Sequence, residues 1–148
     1  MRNEQYVEIA ERAFAEIQAA VPHLTVGSRP TWARSDDIVL AYSRQPGLAF
    51  EVCCYLADDI LHLTAHRFWG EWFSCHVPEV EKKYVQSVTS LLRGEWRLIE
   101  ASRGDRVIWT KLERPDGNGW RTVYSHRILN LVPFPPKKIR VITSAGAA

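Results

Sequence analysis

No apolar run in this 148-residue chain approaches the ~20 residues needed to span a bilayer. The first residues, Met1-Arg2-Asn3-Glu4-Gln5, hold no apolar signal core and read instead as the start of a charged helix. Cysteine is scarce and odd in number, with three residues and no Cys-x-x-Cys pair. Cys53 and Cys54 are adjacent in a predicted strand, so their side chains point to opposite faces. A disulfide framework is therefore not expected, and the reading is a reducing, cytoplasmic protein. There is no phosphate-cradling glycine loop, no dinucleotide fingerprint and no Gly-x-Ser-x-Gly elbow. These absences remove the best-marked enzyme classes, and no cofactor is expected.

Charge of one sign is missing only locally. Nineteen basic and seventeen acidic side chains give a formal charge of +2. No acidic residue follows Asp116, whereas Arg121, Arg127, Lys137, Lys138 and Arg140 do. Five charges over that length are sparse for a nucleic-acid stripe, so this end reads as a solvated basic tail and nucleic acid is disfavoured as a partner.

What is present suits one globular domain over residues 1–143, followed by a disordered tail at 144–148. Asn3 is a suitable N-cap, and Tyr6, Ile9, Ala10, Ala13, Phe14, Ile17 and Val21 form a single apolar stripe that Pro22 ends. A second helix starts at Pro78, carries Val80, Tyr84, Val88, Leu91 and Leu92 inward, and stops at Gly94. Three strand-like runs follow each helix: Ile38–Ser43, Leu48–Ala57 and Ile60–Phe73, then Trp96–Ser102, Val107–Glu113 and Trp120–His126. Gly70 reads as a bulge within the long third run. Leu129 to Pro136 is broken by prolines and reads as a surface wrap. The order α-β-β-β-α-β-β-β predicts an α+β fold with two helices on one face of a largely antiparallel sheet.

Asp58-Asp59 as a two-residue turn fixes a register. Leu56 then faces Leu61, Cys54 faces Leu63, and Val52 faces Ala65, giving a wholly apolar face for the helices. On the opposite face Tyr55 meets His62, Cys53 meets Thr64, and Glu51 meets His66. A carboxylate opposite an imidazole is the orienting half of an acid/base site, so Glu51 and His66 are the candidate catalytic pair of a small hydrolase or isomerase-like enzyme. No nucleophile completes that set. His62 and His66 stand four apart on a strand, ~13 Å along the chain, so one metal ion cannot take both and no metal site is expected.

Arg67-Phe68-Trp69-Gly70-Glu71-Trp72-Phe73 is the densest aromatic stretch, in a chain with six Trp. Under this register, with Ile60–Phe73 as one strand, Phe68 and Trp72 share the uncovered face with Tyr55, His62 and His66. Large rings on an uncovered sheet face suit a protein partner or a homodimer. Trp32 is expected to pack its loop onto the core. The segment order resembles the layout of small secretion chaperones and of some toxin-neutralising immunity proteins, although the chaperone layout ends in a further helix that this chain lacks. That resemblance implies a non-catalytic protein-binding module using the aromatic sheet face, and no membrane.

Overall fold

The computed structural model describes residues 3–128 and 132–147. Two helices and two antiparallel sheets make up an α+β fold. Helix α1 (Glu4–Ala20) is capped by Asn3, whose Oδ1 accepts the Gln5 N–H at 2.9 Å. Its stripe buries Ile9, Ala10, Ala13, Phe14 and Ile17. The first sheet is a meander of β1 (Val39–Tyr42), β2 (Val52–Ala57), β3 (Ile60–Ala65) and β4 (Phe68–Phe73). Helix α2 (Pro78–Leu92) follows, with Pro78 in its first turn. It packs beside α1, where Arg12 donates to both carboxylate oxygens of Glu81 at 2.9 and 2.7 Å. The second sheet runs β5 (Arg97–Arg103), β6 (Arg106–Asp116), β7 (Gly119–Arg127), β8 (Lys137–Thr143) and β9 (Gly146–Ala147), in the spatial order β7-β6-β5-β8-β9.

The β2–β3 register is the one the Asp58-Asp59 turn requires, from Ala57↔Ile60 through Tyr55↔His62 to Val52↔Ala65. Val52, Cys54, Leu56, Leu61, Leu63 and Ala65 are all buried, and the helices lie on this face. One apolar core joins it to Leu98, Leu112 and Ile142 of the second sheet. Phe68 and Trp72 both pack on Tyr124 of β7, with ring centroids 5.7 and 5.0 Å away.

The third run is not continuous. It reverses at His66-Arg67, so the first half of the fold has four strands rather than three. A two-residue turn changes the parity of every residue after it. Ala65 now opposes Phe68 and Leu61 opposes Trp72, which places both rings on the helix-covered face as core. Gly70 makes room for them rather than marking a bulge. A Cβ there would meet Trp72 Cζ3 at 2.7 Å and Phe68 Cζ at 2.9 Å.

The far end of the chain also differs from expectation. Lys137–Thr143 pairs with β5 as a full strand. Ser144, expected to open a disordered tail, is buried, and its carbonyl accepts the Ala49 N–H at 2.8 Å. Of the expected proline-rich surface wrap, residues 129–131 lie outside the described residues. Among the described residues no helix is long and apolar enough to cross a membrane.

Candidate functional site

The face of the first sheet that the helices leave uncovered carries a continuous set of rings. Tyr55 and His62 are directly cross-strand and stack, centroids 4.4 Å apart and planes 2° from parallel. Trp69 is the diagonal neighbour of His62 on β4 and lies near-parallel to it at 6.0 Å. Trp32, from the loop before β1, sets its edge against Tyr55 at 5.0 Å. His126 of β7 does the same to Trp69 at 5.4 Å. Phe73 ends this face, 68% exposed, with Trp32 at 56% and Trp69 at 39%.

At the centre of the stack His62 is only 6% exposed. Burial lowers its pKa below the usual histidine value, and the Glu71 carboxylate 4.0 Å from Nδ1 only partly opposes this. The Trp69 indole N–H donates to His62 Nδ1 at 3.3 Å. A neutral ring accepting at Nδ1 carries its proton on Nε2. That nitrogen is buried with no hydrogen-bond partner among the described residues. An unsatisfied buried donor costs about 1–3 kcal/mol. Burial also raises the phenol pKa of Tyr55. The stack is therefore aromatic with a neutral centre, and the Glu71 carboxylate lies beside it.

The His66 ring does not pair with the Glu51 carboxylate as expected. The two residues stand just past the end of the ladder, where the His66 N–H donates to the Glu51 carbonyl at 3.4 Å. The His66 ring points to the second sheet instead, its Nε2 3.1 Å from Oε2 of Glu100. Arg67 Nη1 approaches the other oxygen of that carboxylate at 3.6 Å. Glu100 is 2% exposed. Its Oε2 is close enough to His66 for an ion pair but lacks hydrogen-bond alignment. His66 adopts a left-handed backbone, φ 55°, at the turn that delivers its ring and the Arg67 guanidinium to Glu100. The node clamps the β3–β4 turn onto β5. Glu51, exposed, lines a shallow cleft with Arg44, Phe50 and His66.

The catalytic reading gains no nucleophile from the fold. The nearest pairing of a hydroxyl with an imidazole lies elsewhere, where Ser74 Oγ sits 2.8 Å from His76 Nδ1. Ser74 donates its single proton to Asp59 Oδ2 at 2.5 Å, so the imidazole N–H must donate to the serine oxygen. That polarity staples a loop and keeps the imidazole from acting as the base of this hydroxyl. The thiols are equally unsuited. Burial pushes Cys53 and Cys75 up to about 11 and Cys54 up to about 12, far from the thiolate form that reacts. Among the described residues no three His, Cys, Asp or Glu side chains converge as metal ligands would.

Of the residues singled out in the sequence, Tyr55 and His62 meet on the uncovered face, while Phe68 and Trp72 leave it for the core. Trp32, expected in the core, is on the face. Trp69 and Phe73 join it because of the hidden turn, whose only sequence signal is that a 14-residue run is long for one strand. Comparison with known proteins finds no matching family model, no similar curated protein and no similar solved structure.

Proposed function

We propose that this protein is a non-catalytic protein-binding module whose recognition surface is the uncovered aromatic face of the first sheet, and that a second copy of the chain occupies it. The observation that carries this reading is the exposure of Trp32, Trp69 and Phe73 around the Tyr55–His62 stack. Leaving such a ring in water forfeits about 1.5–3 kcal/mol relative to full burial. Aromatic side chains surrounded by weakly charged surface are the composition of an interface centre. A symmetric dimer sets one patch against itself, which a near-neutral patch tolerates and a strongly charged one does not. Three free thiols suit a reducing, cytoplasmic setting.

Site-specific photo-cross-linking tests the surface. A photoreactive phenylalanine analogue at Phe73 should yield a covalent dimer, and the same group at exposed Lys82 on α2 should not. An adduct with a different protein at Phe73 would replace the second copy by a dedicated partner. No adduct at Phe73 or Trp32 would refute the binding surface.

A further inference from the structure

A second concavity, sharing no residue with the aromatic face, lies between α2 and the β6–β7 hairpin and encloses about 290 Å3. Its floor is formed by Trp72 and Trp96, both largely buried in the core beneath. Its walls carry Lys83 and Gln86 from α2, and Arg114 and Arg121 from the hairpin. No acidic side chain lines it among the described residues.

Arg114 and Arg121 are direct cross-strand partners. Like charges placed opposite each other on a ladder destabilise it. Arg121 is partly compensated by exposed Asp116 at 3.2 Å. Lys83 and Arg114 have no ion-pair partner among the described residues. Three cations thus converge on one cleft whose interior supplies no counter-charge. A guanidinium is suited by shape to bind a carboxylate or phosphate through two parallel hydrogen bonds. The indoles below offer an apolar seat for a flat group. The volume lies at the small end of ligand pockets, about 300–1,000 Å3, which admits one ring and its substituent.

We propose that this cleft binds a small ring-bearing anion, an aromatic carboxylate or phosphate. Its acidic group lies among Arg114, Arg121 and Lys83, and its ring lies against Trp72 and Trp96. The site is independent of the aromatic face, and either could fail without the other.

Calorimetric titration of the full chain with benzoate, phenyl phosphate, inorganic phosphate and benzyl alcohol tests the proposal, with tryptophan fluorescence followed in parallel. At least one ring anion should saturate with a Kd below about 1 mM. Whichever of benzoate and phenyl phosphate binds tighter identifies the acid. Benzyl alcohol and inorganic phosphate should each bind at least ~10-fold more weakly, since each lacks one of the two recognised parts. Arg114→Gln should weaken binding ~10-fold or more while leaving the melting temperature unchanged or raised, because it relieves the opposed cations. Lys83→Gln, on an exposed helix position, repeats the binding test without touching the hairpin. Trp69→Ala on the other face should leave binding unchanged. The proposal is overturned if neither ring anion saturates with a Kd below about 1 mM, if both charge variants bind as the wild type does, or if inorganic phosphate binds as tightly as the ring anions.

Discussion

Glu100 makes an asymmetric prediction. Its carboxylate is 2% exposed, whereas the His66 and Arg67 side chains facing it are 29% and 45% exposed. Removing the charge by Glu100→Gln leaves the His66 ring and the Arg67 guanidinium, both part-exposed, free to turn to water, so each loses little more than a surface pair is worth, about 0–1 kcal/mol. It also ends the desolvation cost of the buried carboxylate. The net change should stay within about 1 kcal/mol. The opposite deletion, His66→Asn with Arg67→Ala, strands the carboxylate in the interior. Breaking a buried pair from one side costs about 3–5 kcal/mol, and the part-exposure of Arg67 argues for the low end, about 3 kcal/mol. Asn at position 66 accepts the left-handed backbone found there, so the loss is electrostatic rather than conformational. Adding Glu100→Gln to the double variant should then recover most of the loss. Urea denaturation followed by circular dichroism at neutral pH measures all four proteins. The reasoning fails if Glu100→Gln alone destabilises as much as the double variant, or if the triple variant shows no recovery.

Phe68→Ala and Trp72→Ala should each cost about 3–5 kcal/mol in the same denaturation experiment, because both rings are buried against Tyr124; losses under about 1 kcal/mol would return them to the surface. Burial depresses the His62 pKa, so the native state binds fewer protons than the unfolded chain. Stability should be full above the unfolded value of about 6.5 and decline as pH falls below it. Urea midpoints at about pH 7.5 and about pH 5 should therefore differ more for the wild type than for His62→Gln, and an equal difference would refute the assignment. With Cys53, Cys54 and Cys75 pushed up to about 11, 12 and 11, iodoacetamide at mildly alkaline pH should label the folded protein far more slowly than the urea-unfolded chain. Rapid labelling of Cys53 in the folded state would contradict this.

How far the sequence shows the structure depends on where the turns carry turn residues. Asp58-Asp59 sits between two alternating runs, and Asp58 accepts the left-handed backbone the turn imposes. The register, the apolar face and the Tyr55–His62 pair all followed from those two residues. His66-Arg67 makes the same kind of turn with residues that carry no such signal, held from outside by Glu100, which lies 33 positions further along the chain. Tertiary electrostatics, not local propensity, sets that reversal. One missed turn then exchanged the faces of every residue from Phe68 to Phe73. That exchange took Phe68 and Trp72 off the uncovered face and put Trp69 and Phe73 on it. The partner of His66 was hidden for the same reason, since a contact between two sheets leaves no trace in the spacing along one strand. The strand Lys137–Thr143 was obscured by its exposed, basic first half, with Val141 and Ile142 alone marking the buried end.

The central claim is that the uncovered aromatic face associates with a second copy of the chain. Sedimentation velocity of the wild type and of the Trp32→Ser/Phe73→Ser double variant tests it over about 1–100 μM, the range in which an association of ~8 kcal/mol passes through its midpoint. Both rings are exposed in the single chain, so the double variant should melt within a few degrees of the wild type. The wild type should form a concentration-dependent dimer and the variant a folded monomer. A wild type that stays monomeric throughout, or a variant that dimerises as the wild type does, would contradict it.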